Sequence, residues 1–354
     1  MMPSSATTTT RRILRSSLVD LLVGPHGIDR YLELVKPGLT VNEARAEVID
    51  VRHQTPRSVT VTLRPNAVWR GFRAGQFVRV GVEIDGVRRT RTYSPATSQH
   101  RSDGSLELTV TVHPEGLVSR HLESRVRRGA IVHLGSAQGE FVLPDLRPER
   151  LVLVSGGSGI TPVMAMLRTL CDEGHSGEVT FLHYARTSAD WLYRAEVEAL
   201  AARNPNVRVA YVATREGGGH VTAAALGEPD GAHAAVCGPP TLIEAVAAIW
   251  SGPLLTETFT PPTLSLTAVA AEGTLSLLRS ERSAPIGEGT LLEQVEAAGL
   301  SPDFGCRMGI CHTCTCRKAA GRVRNILTGE VSDEEDEDVQ LCVSVPAGDV
   351  ALEI

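Results

Sequence analysis

Four cysteines near the C-terminus have the type and spacing to hold a redox metal centre: Cys306, Cys311, Cys314 and, much further on, Cys342. Four residues separate the first pair, two the second and 27 the last, the C-x4-C-x2-C…C spacing of a plant-type [2Fe–2S] cluster. Two irons need four soft thiolates converging on one small volume, so three of them come from a single tight loop. Gly305 and Gly309 let that loop curl and aim backbone N–H groups at sulfur. Zinc also accepts four thiolates, but its ligands usually come as two short knuckles, and a disulfide scaffold is the remaining alternative. The spacing therefore predicts one-electron transfer. Cys316, two residues beyond the loop, is expected to be a small packed side chain and not a ligand.

Further upstream, Arg91-Thr-Tyr93-Ser94 ends a strand-like stretch, and Gly116-Leu-Val118-Ser119 opens a predicted helix. A flavin nucleotide needs such parts: an arginine for phosphate, an aromatic ring against the isoalloxazine or ribityl, and a hydroxyl for the N5 edge. Helix N-terminal amides with a serine suit the pyrophosphate. Next, Ser155-Gly-Gly157-Ser-Gly159-Ile-Thr161-Pro162 joins a strand to a helix, where glycines permit close approach to a dinucleotide. It is not G-x-G-x-x-G. Cys237-Gly238-Pro239-Pro240 ends a later strand at the same carboxyl edge, where open α/β sheets bind ligands. Taken singly, each reads equally well as an ordinary strand end or glycine turn.

The surrounding pattern supplies elements to position these groups. From about 45 to 145, Val59, Val61 and Leu63, then Leu106, Leu108, Val110 and Val112, alternate with polar residues between Gly and Pro punctuation, which predicts a small antiparallel barrel. From about 148 to 255, buried strands at Leu151–Val154, Val179–Tyr184, Val207–Val212 and Ala234–Cys237 alternate with helices near 162–171, 194–203 and 241–250. That order predicts a doubly wound α/β unit. Pro261-Pro262 precedes a third module. The expected organisation is a tail and helix at 1–44, a FAD-binding β-barrel at 45–147, an NAD(P)-binding α/β domain at 148–260, and an α+β (β-grasp) ferredoxin domain at 263–354. A net charge of −6 over 354 residues gives no support for nucleic-acid binding. No apolar run approaches the ~20 residues of a membrane span. Leu14, Leu18, Leu21 and Leu22 behind Arg11, Arg12 and Arg15 recur at helical spacing, which fits either a helix docked on the body or a basic helix on a membrane surface.

Together these motifs resemble the ferredoxin–NADP reductase superfamily fused to a C-terminal plant-type ferredoxin. The stretches Val87–Pro95 and Gly305–Cys314 look most like actinobacterial reductases of membrane acyl-CoA desaturases. The resemblance implies that Arg91, Tyr93, Ser94, Gly116, Val118 and Ser119 hold FAD, with the backbone of Val110–Val112 along its pyrimidine edge. It implies that Gly157, Gly159, Thr161, Pro162, Gly238 and Pro239 hold the nucleotide, that Cys237 approaches the nicotinamide C4, and that Phe259 covers part of the isoalloxazine. Ser94 and Cys237 are then the catalytic residues, and Cys306, Cys311, Cys314 and Cys342 bind the cluster. Electrons would pass from NAD(P)H through FAD and the cluster to an outside acceptor.

NADPH is the expected donor, with NADH the alternative. No acidic residue ends the Val179–Tyr184 strand to bond a ribose 2′-OH, whereas Arg186 and Arg215 stand where NADP-dependent relatives hold the 2′-phosphate. The expected acceptor is a membrane-bound fatty acyl desaturase, and the alternative is a Rieske oxygenase or a cytochrome P450. A cytoplasmic location follows, with transient contact at the inner face of the membrane. Residues 262–354 carry 15 acidic and 7 basic side chains, a net of −8. The run Asp333–Asp338 is either a solvated loop or an electrostatic docking surface.

Overall fold

The structure, a computed structural model, describes residues 27–36, 38–259, 273–305, 307–309 and 311–354. The expected helix around Leu14–Leu22, the Pro261-Pro262 junction and Cys306 lie outside these residues. The chain forms two compact units, one ending at Thr258 and one beginning at Phe259.

A short helix α1 (Gly27–Val35) leads into the first unit, where Asp29 accepts the Val41 N–H at 2.7 Å and Glu33 pairs with buried Arg45 at 2.9 Å. Six strands follow: β1 (Arg45–Thr55), β2 (Ser58–Pro65), β3 (Val78–Ile84), β4 (Val87–Tyr93), β5 (Leu106–Thr111) and β6 (Ile131–Leu134). All pair antiparallel in the order β4-β3-β6-β1-β2-β5. The alternating apolar residues of β2 and β5 fill the interior with Val48, Val78, Val80 and Leu134, and α2 (Leu117–Ser124) adds Val118 and Leu122 to the same core. The sheet curls until Cα atoms of β4 and β5, its two edges, come within 8 Å.

The second sheet is parallel, β11-β10-β7-β8-β9, built from β7 (Arg150–Gly156), β8 (Glu178–Ala185), β9 (Val207–Ala213), β10 (Ala232–Cys237) and β11 (Leu254–Glu257). Helices α3 (Ile160–Asp172), α4 (Arg194–Arg203), α5 (Ala223–Leu226) and α6 (Pro240–Ile249) alternate with these strands. The four strands and three helices expected from periodicity are all present. The fifth strand, β11, and the single-turn α5 are too short to carry a period. Loops of the first half share a core with the second: Ala74, Ala96, Phe141 and Leu143 pack with Leu153, Met164, Leu167 and Phe181. Burying apolar surface from both halves together resists movement of one against the other.

The second unit carries a mixed sheet of β12 (Thr274–Leu277), β13 (Arg282–Pro285), β14 (Thr315–Asn325), β15 (Val331–Ser332), β16 (Glu337–Gln340) and β17 (Ser344–Leu352), in the order β13-β12-β17-β14-β15 with β16 on β14. Only the β12–β17 pair is parallel. Helix α7 (Leu291–Ala297) packs Leu291, Leu292 and Val295 against this sheet and starts with a capping box between Thr290 and Glu293.

Candidate functional site

Arg91, Tyr93 and Ser94 lie at the end of edge strand β4, and the opposite edge, β5, faces them. Ser94 is buried, and its Oγ has no hydrogen-bond partner among the described residues. Such an orphan costs free energy unless a ligand meets it, so this position fits a flavin edge. Burial raises the Tyr93 hydroxyl above its ordinary pKa, although Arg91 beside it opposes the shift. Which residue of β5 offers its backbone follows from ladder alternation. The Val112 N–H donates to Arg57 O at 2.8 Å, so Val110 and Val112 turn their polar groups into the sheet, toward β2. Glu107 O accepts the Ala96 N–H on the other side, and by the same parity Thr109 and Thr111 point their backbones outward. Thr111, between the two expected valines, is thus the residue able to meet a pyrimidine edge.

At α2, the Ser119 hydroxyl donates to Gly116 O and accepts the His113 N–H, both at 3.2 Å, closing the turn that opens the helix. A Cβ on Gly116 would lie 2.3 Å from Ser119 Oγ, so only glycine keeps this turn. The Val118 side chain is in the core and can offer only its amide. Glu115 is exposed, away from the interior where its charge would repel phosphate.

The glycine loop runs from the end of β7 into α3, and its Gly157–Gly159 turn comes within 8 Å (Cα) of β5, bringing it to the flavin-side edge. A Cβ on Gly159 would sit 2.3 Å from Cys237 O, so the loop packs directly on the end of β10. Thr161 Oγ1 donates to Ser158 O at 3.2 Å and Pro162 lies in the first turn of α3. Behind the loop, fully buried His183 meets Ser155 Oγ at 2.9 Å through Nδ1, and burial lowers its pKa to about 3, so it is neutral. Arg186 and Arg215 follow β8 and β9, both exposed, and the Arg215 N–H donates to Arg186 O at 2.9 Å.

Cys237 is fully buried, and burial first, then Glu257, hold its thiol well above its ordinary pKa. Glu257 was not singled out by the sequence. Parallel register sets it opposite Cys237, with Gly238 N–H donating to Glu257 O at 3.2 Å. Burial raises its carboxyl to about 8, and Oε2 has no partner among the described residues. The site therefore holds a proton at neutral pH. Gly238 and Pro239 continue the turn into α6, and Gly238 lies against Gly156. Phe259 is the first residue of the other unit and is exposed.

In the second unit Cys311, Cys314 and Cys342 are buried. Sulfur acceptors are already provided with donors: Gly309 N–H to Cys342 Sγ at 3.3 Å, Thr313 Oγ1 to Cys311 Sγ at 3.2 Å and Cys342 N–H to Cys314 Sγ at 3.4 Å. Hydrogen bonding by Cys342 lowers the Cys314 thiol to about 7. Arg307, Gly309 and His312 all take positive φ, the curl that such a loop requires. Among the described residues no three metal-binding side chains converge on one point. A two-iron cluster asks for thiolates in pairs, and the pair Cys314–Cys342 and donor-rich Cys311 fit that demand. Cys316 instead sits in β14 opposite Val339, and burial raises its thiol to about 11. Asp333 to Asp336 and Asp338 of the acidic run are exposed, and only Glu337 is half-buried. Asp336 and Glu337 pair with Arg317 at 2.8 Å and with fully buried Lys318 at 2.9 Å.

Comparison with known proteins gives matches across both units. Residues 48–143 match the oxidoreductase FAD-binding domain family, 153–248 the oxidoreductase NAD-binding domain family, and 276–347 the 2Fe-2S iron–sulfur cluster binding domain family. An NADPH oxidoreductase of Mycobacterium tuberculosis is 38% identical over 340 residues, spanning 92% of this chain and 88% of that protein. A glycine betaine monooxygenase reductase subunit of Pseudomonas aeruginosa is 30% identical, spanning 80% of this chain and 87% of that protein. The solved structure of phthalate dioxygenase reductase superposes with a TM-score of 0.61 at 21% identity, covering 88% of this chain and 97% of that one, a likeness of fold.

Proposed function

Because this chain belongs to the NAD(P)H oxidoreductases of ferredoxin-reductase type that carry a C-terminal 2Fe-2S domain, we propose that it is the reductase component of an oxygenase system. It takes FAD, a [2Fe–2S] cluster and NAD(P)H. FAD, when bound, supplies the conversion of a two-electron hydride into the single electrons that a cluster accepts. The protein's own residues supply position and proton control. Arg91 and the α2 amides with Ser119 hold the flavin phosphates, Ser94 Oγ bonds the flavin edge from a buried position, and the Thr111 backbone lines the opposite side. Gly157, Gly159, Thr161 and Pro162 cradle the nucleotide, while Arg186 and Arg215 select NADPH through its 2′-phosphate. Glu257 keeps its proton at pH 7 and so places no negative charge beside Cys237 as hydride moves.

The observation that carries the acceptor assignment is the likeness, over four-fifths of the chain, to a protein named as the reductase subunit of a monooxygenase. The fold of phthalate dioxygenase reductase agrees with it. None of the relatives described above is named for a desaturase. That acceptor, expected from the sequence, is the second reading, supported by the stretches Val87–Pro95 and Gly305–Cys314. Among the described residues no helix is long and apolar enough to cross a membrane. Reconstitution with NADPH and either a Rieske-type or P450 oxygenase, or desaturase-containing membranes, separates the two. Hydroxylated product with the oxygenase alone supports the proposal. Unsaturated acyl product with no oxygenase turnover overturns it.

A further inference from the structure

We propose that Arg168 is a positioning residue: it ties the Ser94 segment of the flavin sheet to the helix that carries the nucleotide loop, and so fixes the separation across which hydride passes. Arg168 lies a little over two turns into α3 and is 12% exposed. Its Nη1 donates to Ala96 O at 2.7 Å and to Glu107 Oε2 at 2.9 Å. Nε and Nη2 each donate to the Glu196 carboxylate at 2.7 Å, and the guanidinium stacks 5.1 Å from the Tyr193 ring. The planar fork thus spans three elements at once, a geometry that only a guanidinium provides.

The far end of this clamp is Ala96, two residues beyond the strand-end Ser94. Ala96 donates its N–H to Glu107 O at 2.8 Å, and Thr97 Oγ1 accepts the Glu107 N–H at 2.6 Å. The Gln99 N–H adds a bond to Thr169 Oγ1, on the same helix, at 3.2 Å. Ser94 therefore stands two residues from a point gripped from both sides, with Pro95 restricting the intervening backbone. At its other end α3 is locked to Cys237 through Gly159. One helix then contacts the strand end bearing Ser94 and the strand end bearing Cys237. A shift of about 1 Å at reacting atoms can cost on the order of a hundredfold in rate. A second link runs parallel to the clamp. Tyr193, held at φ 57°, hydrogen-bonds through its hydroxyl to Thr109 of β5.

This inference rests on the placing of Ser94 at the flavin. The test uses holoenzyme and three variants, with anaerobic stopped-flow reduction of the flavin by NADPH and hydrogen exchange of the Ala96 amide. Arg168→Gln leaves Glu107 paired with Arg52 at 3.2 Å and Arg101 at 3.5 Å, and leaves Glu196 partly solvated, so the fold has other support. Expected for this variant is a flavin-reduction rate lower by roughly tenfold to a hundredfold, half-saturation by NADPH within about twofold of wild type, and faster exchange at Ala96. Arg168→Lys should recover part of the rate, because one ammonium reaches fewer of the acceptors. A wild-type reduction rate in Arg168→Gln, a loss confined to NADPH binding, or unchanged exchange at Ala96 overturns the proposal. Should Arg168→Gln fail to fold, Arg168→Lys carries the decision: a wild-type rate in that variant is equally fatal. Ser94→Ala is run beside them. Full activity there removes Ser94 from the flavin site, while the clamp is still judged by the Ala96 amide.

Discussion

Replacing Glu257 by glutamine tests the proton that the site is built to hold. Burial carries this carboxyl from its ordinary 4.5 to about 8. A group whose folded pKa is raised contributes its stabilisation in full below the unfolded value and loses it as pH climbs through the folded value. For these two values the loss between pH 5 and pH 8 is about 3.5 kcal/mol, at up to about 1.4 kcal/mol per pH unit. In a unit of this size 1 kcal/mol corresponds to about 2–4 °C, so the difference amounts to roughly 7–14 °C in Tm. Glutamine resembles the protonated acid and cannot ionise. The assay is calorimetry of the first unit's transition in wild type and Glu257→Gln at pH 5 and pH 8. The variant should gain on the wild type by the stated amount as pH rises, and its pH profile for flavin reduction should flatten near pH 8. A Tm difference that stays constant between the two pH values would refute the reasoning, because Glu257 would then titrate alike in the folded and unfolded chain.

Cys316→Ser should leave the [2Fe–2S] EPR signal of the reduced protein intact, since its sulfur is packed in β14; loss of the signal would make it a ligand. Lys318→Met takes the cation from Glu337, which keeps its bond from Ser332 Oγ, and removes the donor to Gly321 O at 2.7 Å and to Glu334 O, so the second unit should lose about 1–3 kcal/mol. Urea titration followed by the cluster's visible circular dichroism measures this, and an unmoved midpoint contradicts it. Gly159→Ala drives a methyl against Cys237 O and should cost the first unit about 1–3 kcal/mol of stability, read as a lower Tm in calorimetry, and an unmoved Tm contradicts it. Charge-assisted bonds from Arg186 and Arg215 to a 2′-phosphate should favour NADPH over NADH in kcat/KM by about 1.5–3 kcal/mol. Equal or better use of NADH removes that role.

Local pattern was enough for the elements and the motifs. Alternation over Val59–Leu63 and Leu106–Val112 becomes β2 and β5, and Ser155–Pro162 joins β7 to α3 as its glycines imply. What stayed hidden depends on partners distant in the chain. The outward backbone of β5 belongs to Thr111 and not to Val110 or Val112, because parity is set by where β2 pairs. Glu257 keeps its proton because strand pairing buries its carboxyl, at a position opposite Cys237. Glu107 and Arg168 are 61 residues apart, and nothing near either announces the other. The pairing of Glu337 with buried Lys318 was hidden because the lysine lies on a strand that only folding brings alongside.

The curl that leaves β4 and β5 as facing edges has a consequence for the life of the chain before any cofactor arrives. An edge strand is a template on which another chain's strand can add, the first step toward aggregation. β4 carries Arg88, Arg89 and Arg91 in a seven-residue strand, and a second copy laid against it would set like charges side by side. The sequence expected to meet phosphate thus also shields the newly made protein from its own copies. Any change that lightens the charge of β4 to suit another ligand removes that shield as well, so cofactor preference and solubility evolve together on this strand.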